Sequence, residues 1–340
     1  MDTVTDADEA IRTEKTTAGE STIQQRRPLF VFLIGLCMGS ADAVPGVSGG
    51  TVALIAGIYG RLVDAIAAVS VENLAALARA FLPAGSGVST ARMRAVLDRM
   101  DALFVATLLA GVGTAVVAVG RLVEHAAASA PVLLYGLFFG LIGASALVLW
   151  RALTMGTARR WLAALAGFSV AFALSGGVRV LDAGGPAVVF LAGTVAVSAM
   201  VLPGVSGSLL LLILGQYVPM YAALNDFLDG LARAATGGSS PGLVDSGGTV
   251  LLFLVGGTLG VLTVGRVIRR LLDTHREATL SFLVALVVGA LRAPITELSG
   301  THSVAWTADT LGTFAAVAAL GAALVLLLDR YALDLDFEAV

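Results

Sequence analysis

The stretch VPGVSGG, residues 44–50, decides the fold because it interrupts a segment that otherwise has the composition of a membrane helix. A second copy, LPGVSGS, occupies residues 202–208. Proline and glycine are disfavoured inside helices. Lipid cannot satisfy backbone that leaves the helix at membrane depth, so such backbone must be buried in protein or face a polar cavity. The two breaks therefore predict specialised sites within a membrane protein.

Composition supports a membrane class. The chain of 340 residues is 57% hydrophobic and 13% charged, whereas soluble domains are about 25% charged. The net charge of −3 gives no indication of nucleic-acid binding. One cysteine, Cys37, and three histidines in predicted loops offer neither a disulfide nor a zinc site. We expect no metal and no cofactor.

Charge-free windows of about 20 residues predict membrane crossings. Six windows predict ordinary spans: 102–120, 131–150, 161–178, 246–265, 278–291 and 310–328. Two longer windows, 28–60 and 183–225, carry the breaks, and we interpret each as a hairpin of two helical arms with PGVSG at its tip. The segments 61–82 and 219–235, which follow the hairpins, fit either interfacial or crossing helices. Residues 1–27 are polar and acidic, which predicts a disordered tail and not a signal peptide.

The two windows belong to an internal repeat. Residues 40–59 and 198–217 are identical at 11 of 20 positions. Three predicted spans separate the hairpins, and an odd number inverts the second copy relative to the first, as in many secondary transporters. The predicted fold is thus an all-α integral membrane bundle, residues 28–330, with re-entrant hairpins. Its predicted parts are repeats at about 28–150 and 183–293, a linking helix at 161–178, a closing helix at 310–328 and a cytoplasmic tail at 331–340.

Arginine placement sets the orientation. If both termini lie on one side, that side receives 17 of the 21 basic residues, and the opposite side receives the other four, Arg121, Arg179, Arg233 and Arg292. By the positive-inside rule the termini are cytoplasmic. Charge counting does not distinguish hairpins from a variant in which the first break crosses once and 61–82 crosses back.

The PGVSG tips have the composition of an anion site. Backbone amides after the prolines lack helical partners, glycine allows close approach, and serine adds a hydroxyl donor. Breaks that serve only helix kinking or close packing are the alternative. The predicted phosphate-binding residues are Pro45, Gly46, Val47, Ser48, Gly49, Gly50, Pro203, Gly204, Val205, Ser206, Gly207, Ser208 and Arg292.

Two charged residues have further candidate roles. Asp42 is the one acidic residue within a predicted span, and Met200 takes its place in the second copy. An intramembrane carboxylate suggests proton or ion coupling, although capping of the neighbouring half-helix is the alternative. We expect Asp42 to be offset from a phosphate or protonated. Arg292, like Arg121, lies at a span end, where snorkelling to the interface competes with phosphate binding; Pro294 favours Arg292.

A hydrolase is a third possibility because residues 46–50 match G-x-S-x-G. That motif requires a preceding strand and a nearby histidine base, whereas here it follows a predicted helix and no histidine lies in a span. The second copy ends in Ser208 and breaks the pattern. We therefore do not expect an enzyme.

Three segments resemble one known family. GSADAVPGVSGGTVALIAGIYGRLVDAI (39–66), VSAMVLPGVSGSLLLLILGQY (197–217) and GALRAP (289–294) are similar to signature segments of the domain-of-unknown-function-368 family, the polyprenyl-phosphate translocases of PopT type. The similarity covers most of residues 28–293. The long acidic N-terminal tail and the preference for arginine over lysine depart from the family.

The resemblance implies a flippase-type transporter in the cytoplasmic membrane. It would move a polyprenyl monophosphate, undecaprenyl or dolichyl phosphate, from the outer to the cytoplasmic leaflet for reuse in envelope polysaccharide or glycoprotein synthesis. The partners would be the lipid and the membrane, with proton or ion coupling as an option. A secondary transporter of a small soluble anion is the alternative, and an intramembrane serine hydrolase is the third hypothesis.

Overall fold

We analysed a computed structural model of the chain, which describes residues 27–68, 90–176, 185–200 and 206–337. All regular secondary structure in these ranges is helical. The helices are α1 (Pro28–Ala43), α2 (Gly49–Ile55), α3 (Tyr59–Ala68), α4 (Thr90–Arg99), α5 (Ala102–Ser129), α6 (Pro131–Arg151), α7 (Ala158–Leu174), α8 (Pro186–Met200), α9 (Gly207–Ile213), α10 (Tyr217–Ala235), α11 (Leu243–Ala290), α12 (Arg292–Ser299) and α13 (Ala308–Phe337).

Five stretches in the described ranges are long and apolar enough to cross a membrane. They are Ala102–Ser129, Pro131–Arg151, Leu243–Ile268, Arg270–Ser299 and Ala308–Arg330. Each contains one of the predicted windows, so the all-helical membrane class is confirmed. The prediction of a short span at 278–291 underestimated its length, because the helix continues through the charged segment before it.

The sixth predicted window, 161–178, is also helical, but its helix is shorter than expected. Helix α7 has 17 residues, at the lower limit of about 17–25 for a crossing. It begins at Ala158, three residues before the charge-free window, and ends at Leu174. Residues 177–184 lie outside the described ranges.

The described residues divide into two compact units. The first comprises those up to Gly39 together with those in Val52–Ala115, and the second comprises Ser40–Thr51 and those from Val116 onwards. In the first unit, the backbones of α1 and α5 approach closely, since a Cβ on Gly39 would lie 2.8 Å from the Cα of Val112. Small residues at such contacts are typical of helix packing in membranes.

Three helix pairs dominate the second unit: α6 with α13, α8 with α11, and α7 with α11. Glycine also lies at these contacts. A Cβ on Gly321 of α13 would lie 2.6 Å from the carbonyl oxygen of Leu137 on α6. The core between the helices is apolar and includes Tyr135, Phe138 and Ile142. Close backbone packing, which needs no hydrophobic driving force, therefore holds these pairs together in lipid.

Helix α11 is continuous but bent at His275, whose φ of −139° and ψ of 44° are not helical. The bend lies between the predicted spans 246–265 and 278–291, so one kinked helix carries both. Here Glu277 forms an ion pair with Arg160, and Arg159 approaches His275. Trp150 and Trp161 pack edge to face nearby in sequence, with ring centroids 6.3 Å apart. Arginine and tryptophan at one end of the spans are typical of a membrane interface.

Two glycines of α13, the buried Gly321 and the exposed Gly312, test the packing. We expect Gly321→Ala to lower stability by about 1–3 kcal/mol, because the new methyl group collides with the backbone of α6. We expect Gly312→Ala, where nothing lies within 4 Å of the new Cβ, to raise stability by roughly 0.5–1 kcal/mol through helix propensity. Thermal unfolding of the purified protein in detergent measures both. Equal effects of the two substitutions would contradict the packing.

Candidate functional site

The first motif forms a tight turn fixed to α6. Helix α1 ends at Ala43, and α2 begins at Gly49. Gly46 in the turn has a φ of +91°, a left-handed conformation that favours glycine, and a Cβ there would lie 3.1 Å from the Cα of Ile142. Ser145 of α6 donates a hydrogen bond of 2.7 Å from its Oγ to the Gly46 carbonyl. The sequence P-G in this motif is therefore required by both conformation and space.

Asp42 closes this turn from the α1 side. The backbone amide of Gly49 donates a hydrogen bond of 2.6 Å to the Asp42 Oδ1. The carboxylate thus caps the start of α2, which is the structural alternative that the sequence left open. Asp42 is half-buried and also lines a cavity, so capping occupies one oxygen and leaves a further role available to the group.

Three amides of the turn have no hydrogen-bond partner among the residues that the structure describes. They belong to Gly46, Ser48 and Gly50. Pro45, which has no amide hydrogen, is fully buried, and Ser48 is buried too. Gly46 and Gly50 are half-buried, and Gly50 lies in the first turn of α2. Free amide donors before and at a helix start can serve an anionic ligand.

The second motif is described from Ser206 onwards; Pro203, Gly204 and Val205 lie outside the described residues. Ser206 is the N-cap of α9, and its Oγ accepts a hydrogen bond of 3.4 Å from the Leu209 amide. The hydroxyls of Ser206 and Ser208 lie 2.8 Å apart and are both buried. Gly207 packs against α8, where a Cβ would meet the carbonyl of Ala196.

One cavity is lined by residues of the second motif and by the two residues just before the first motif, and we call it the apolar cavity. Its volume is about 260 Å³, and the two regions contribute Asp42 with Ala43 and Gly207 with Ser208. The remaining lining is almost entirely apolar and includes Met200, Leu211, Met220, Leu224, Phe253 and Leu254. The volume is slightly below the roughly 300–1,000 Å³ of small-molecule sites. It suits a small head group with a short length of attached hydrocarbon.

Two tyrosines of α10 approach the residue just before the first motif. The Tyr217 hydroxyl donates a hydrogen bond of 2.6 Å to the carbonyl of Ala43, and the Tyr221 hydroxyl lies 3.4 Å from the same oxygen. Their rings are 5.1 Å apart. The sequence analysis did not identify this pair, although Tyr217 matches Tyr59 in the repeat alignment. That match was the signal available, because a contact over 174 positions leaves no other trace in one sequence.

Arg292 lies elsewhere in the described structure. Its Nη1 donates a hydrogen bond of 2.8 Å to the Phe172 carbonyl, and its guanidinium carbon is 4.3 Å from the centre of the Phe172 ring. Arg292 does not line the apolar cavity. Arg121, the other candidate, pairs with Asp229. Among the described residues that line the cavity, Asp42 is the one charged group.

Neither motif serine has a histidine partner in the described ranges, which include His125, His275 and His302. Ser206 is bonded to Ser208, and His302 stacks near Tyr135 at 5.6 Å between ring centres. A serine nucleophile needs an adjacent base. The geometry therefore offers binding groups and gives no support to the hydrolase hypothesis.

Comparison with known proteins agrees with this geometry. A family model described as undecaprenyl phosphate translocase-like matches residues 38–313. The chain belongs to this family. It is also 32% identical over 265 residues to the polyprenyl-phosphate transporter of Vibrio cholerae, a match covering 77% of this chain and 76% of that protein. No solved structure matches the chain significantly. The family and this relative are named for transport and not for catalysis.

The conformation of the first turn can be tested by stability. Alanine at position 46 would require a left-handed backbone at a cost of about 1–2 kcal/mol and would contact Ile142, so we expect Gly46→Ala to lower the unfolding temperature clearly. Gly50→Ala is the matched control, because its Cβ would meet only the Ser48 Oγ at 3.5 Å. If both variants unfold at the wild-type temperature in detergent, the turn does not have this conformation.

Proposed function

We propose that the protein transports a polyprenyl monophosphate across the membrane and binds its phosphate where the two PGVSG motifs meet. The observation that carries the proposal is the apolar cavity that Asp42–Ala43 and Gly207–Ser208 line together. The family and the relative from Vibrio cholerae supply the substrate class. A lipid phosphate fits both features, since its head is a hydrogen-bond acceptor and its tail is apolar.

The proposed phosphate ligands come from the turns and not from cations. Suitable donors are the hydroxyl of Ser208, which lines the apolar cavity, and the free amides of Gly46, Ser48 and Gly50, which follow Asp42 and Ala43 in the chain. Backbone amides bind phosphate effectively where water is excluded. Gly49 donates to Asp42, so its part is to position that carboxylate. Pro45 and Val47 shape the turn, and Pro203, Gly204, Val205 and Ser206 would form the corresponding turn in the second repeat.

Arg292 has a different proposed role. Its bond to the Phe172 carbonyl holds α12 against the end of α7. From there it would meet the phosphate only in a second conformation of the transporter. We therefore propose Arg292 as a ligand of the alternate state, in which the site opens to the opposite leaflet.

We further propose the inverted-repeat architecture with re-entrant hairpins. Two features support it. Helices α1 and α8, which precede the two motifs, have 16 and 15 residues; at 1.5 Å per residue they are about 24 and 22 Å long, shorter than the hydrocarbon core of about 30 Å. In addition, α9 and α10 meet at an angle of 111° across a break, which is compatible with a re-entrant loop.

This architecture gives a membrane domain over 28–330 with repeats at about 28–150 and 183–293. Both termini would be cytoplasmic, as the positive-inside rule requires. Rocking of one repeat against the other around a fixed site would expose the phosphate to either leaflet in turn. The proposed direction is from the outer to the cytoplasmic leaflet, which returns the carrier for reuse in envelope synthesis.

A binding measurement tests the site. We expect polyprenyl monophosphate to bind at least tenfold more tightly than the diphosphate, because the cavity supplies no described cation for added charge and already contains Asp42. Ser208→Ala should weaken monophosphate binding about tenfold, the value of one hydrogen bond to a charged group. Ser246→Ala is the matched control, since its hydroxyl bonds to the Gly242 carbonyl of its own helix end. Equal affinities for both lipids, or for both variants, would contradict the site.

A depletion experiment tests the direction. In cells with no redundant carrier, we expect loss of this protein to increase the polyprenyl phosphate exposed at the outer surface, measured with an impermeant phosphate-specific reagent. No accumulation, or accumulation on the cytoplasmic side, would overturn the direction. Uptake of a labelled small anion into protein-containing liposomes, without any lipid movement, would instead favour the alternative of a soluble-anion transporter.

A further inference from the structure

A second cavity lies beside the apolar one and has a different character. It has a volume of about 560 Å³ and is lined by Glu124, Tyr135, Gln216, Tyr217, Glu297 and His302; we call it the polar cavity. It lies where α5 leads into α6 and where α12 leads into α13. In the proposed orientation this end of the helices faces the outer side. Two carboxylates make the cavity unsuitable for phosphate and suitable for protons or cations.

One of these carboxylates reaches from the polar cavity into the protein interior. The Asn225 side chain on α10 donates a hydrogen bond of 2.7 Å from its Nδ2 to the Glu124 Oε2. Asn225 is only 4% exposed, and its Oδ1 is buried without a hydrogen-bond partner among the described residues. Buried acceptors are normally satisfied. An unsatisfied acceptor beside a carboxylate is suited to a donor that arrives there, such as water or the protonated acid.

The two tyrosines of α10 line different cavities. Tyr217 lines the polar cavity, and Tyr221 lines the apolar cavity together with Asp42. They are 1% and 9% exposed, and both hydroxyls approach the Ala43 carbonyl, one residue from Asp42. A phenol hydroxyl both donates and accepts. A pair of them can pass on a proton but leaves no described passage for a hydrated ion.

Transport in the proposed direction creates a need for positive charge. Moving one negative charge towards the negative cytoplasmic side costs about 2.3 kcal/mol for each 100 mV of membrane potential. The apolar cavity contributes no cation among its described lining residues, and its one charged group is the carboxylate of Asp42. A proton taken up with the lipid would cancel one charge and remove the repulsion between Asp42 and the phosphate.

We propose that the polar cavity admits protons from the outer side and that the hydroxyls of Tyr217 and Tyr221 transfer them to Asp42, so that lipid phosphate crosses together with a proton. This inference rests on the proposed function. The positioning residues are Glu124, which collects the proton, and Asn225, which holds Glu124. The proton receptor next to the substrate is Asp42.

The proton balance is simple. A proton from outer water joins Glu124; each tyrosine hydroxyl then accepts one proton and gives up another, and the Asp42 carboxylate becomes a carboxylic acid. Release to the cytoplasm restores Asp42 after the lipid has crossed. The titratable groups that face this path are Glu124 on α5, Tyr135 on α6, Tyr217 and Tyr221 on α10, Glu297 on α12, and His302 after it. Arg121 and Asp229 form a separate ion pair nearby.

The test uses the full chain in liposomes with a pH-sensitive dye inside and a labelled polyprenyl monophosphate in the leaflet corresponding to the outer face. With wild type, we expect an acidic exterior to accelerate lipid movement at least tenfold, with lipid-dependent acidification of the interior. A sodium gradient of equal size should have no effect. If the rate of lipid movement does not change with the pH gradient, or changes with the sodium gradient instead, proton coupling is wrong while the proposed function stands. No lipid movement at all overturns both.

Variants then test the path. We expect the double variant Tyr217→Phe, Tyr221→Phe to lose the response to pH. Tyr217→Phe alone, which lines the polar cavity and not the apolar one, should lose the response while it binds the lipid within threefold of wild type. Tyr59→Phe, which lines neither cavity, is the matched control and should keep the response. Glu124→Gln, which still offers an acceptor to Asn225, provides a second test if the double variant does not fold, and should reduce proton uptake at least fivefold. Full pH-driven transport in Glu124→Gln, or in Asp42→Asn, overturns the path.

Discussion

The structure depends on one constraint, which is that backbone amides released from a helix inside a membrane protein need partners that lipid cannot supply. The turn at residues 44–48 meets part of this need with protein: Ser145 holds the Gly46 carbonyl, and Asp42 holds the Gly49 amide. The amides of Gly46 and Ser48 in this turn and of Gly50 at the start of α2 have no partner in the described structure. This imbalance makes the turn suited to a phosphate, because a donor that the fold leaves unsatisfied is available to a ligand.

The same constraint explains why the surroundings are so apolar. Free amides bind an anion strongly only where water does not compete, and the cavity next to the turn is lined mainly by leucine, methionine and phenylalanine. That lining also suits hydrocarbon. One site can therefore offer hydrogen-bond donors to a phosphate head group and apolar side chains to a hydrocarbon tail. The family to which the chain belongs transports a molecule of this kind. The tyrosine pair connects this site with the polar cavity, since Tyr221 lines the apolar cavity and Tyr217 lines the polar one.

Much of this fold could be predicted from the sequence, because membrane helices are apolar and nearly free of charged residues over about 20 positions. The windows 102–120, 131–150, 246–265 and 310–328 all lie within helices of the expected type. The predicted ends of the helices were less accurate. The windows 246–265 and 278–291 predicted two separate spans, whereas α11 continues through the charged residues between them with a bend at His275. A helix can carry charges once it has left the hydrocarbon, so charge marks the interface and not the helix end.

The site was predictable in its residue types but not in its contacts. Glycine, proline and serine at residues 44–50 identified a backbone site, and Asp42 stood out as the one carboxylate in an apolar window. The hydrogen bond of Tyr217 to Ala43 and the pairing of Asn225 with Glu124 join residues more than 100 positions apart. Single-sequence patterns carry no record of such pairs. Arg292 shows the opposite kind of error. A helix-end arginine next to a motif was predicted to be a phosphate ligand, whereas its described partner is a backbone carbonyl.

The central claim is that the two motifs share one phosphate-binding cavity. Cysteine cross-linking tests it most directly, because Cys37 is the single native cysteine and can be replaced by alanine. In that background, the account predicts that cysteines at positions 43 and 208 are joined by a short bifunctional maleimide and that polyprenyl monophosphate protects them. Failure to cross-link, when each cysteine alone reacts with a monofunctional maleimide, or cross-linking that the lipid does not reduce, would contradict it.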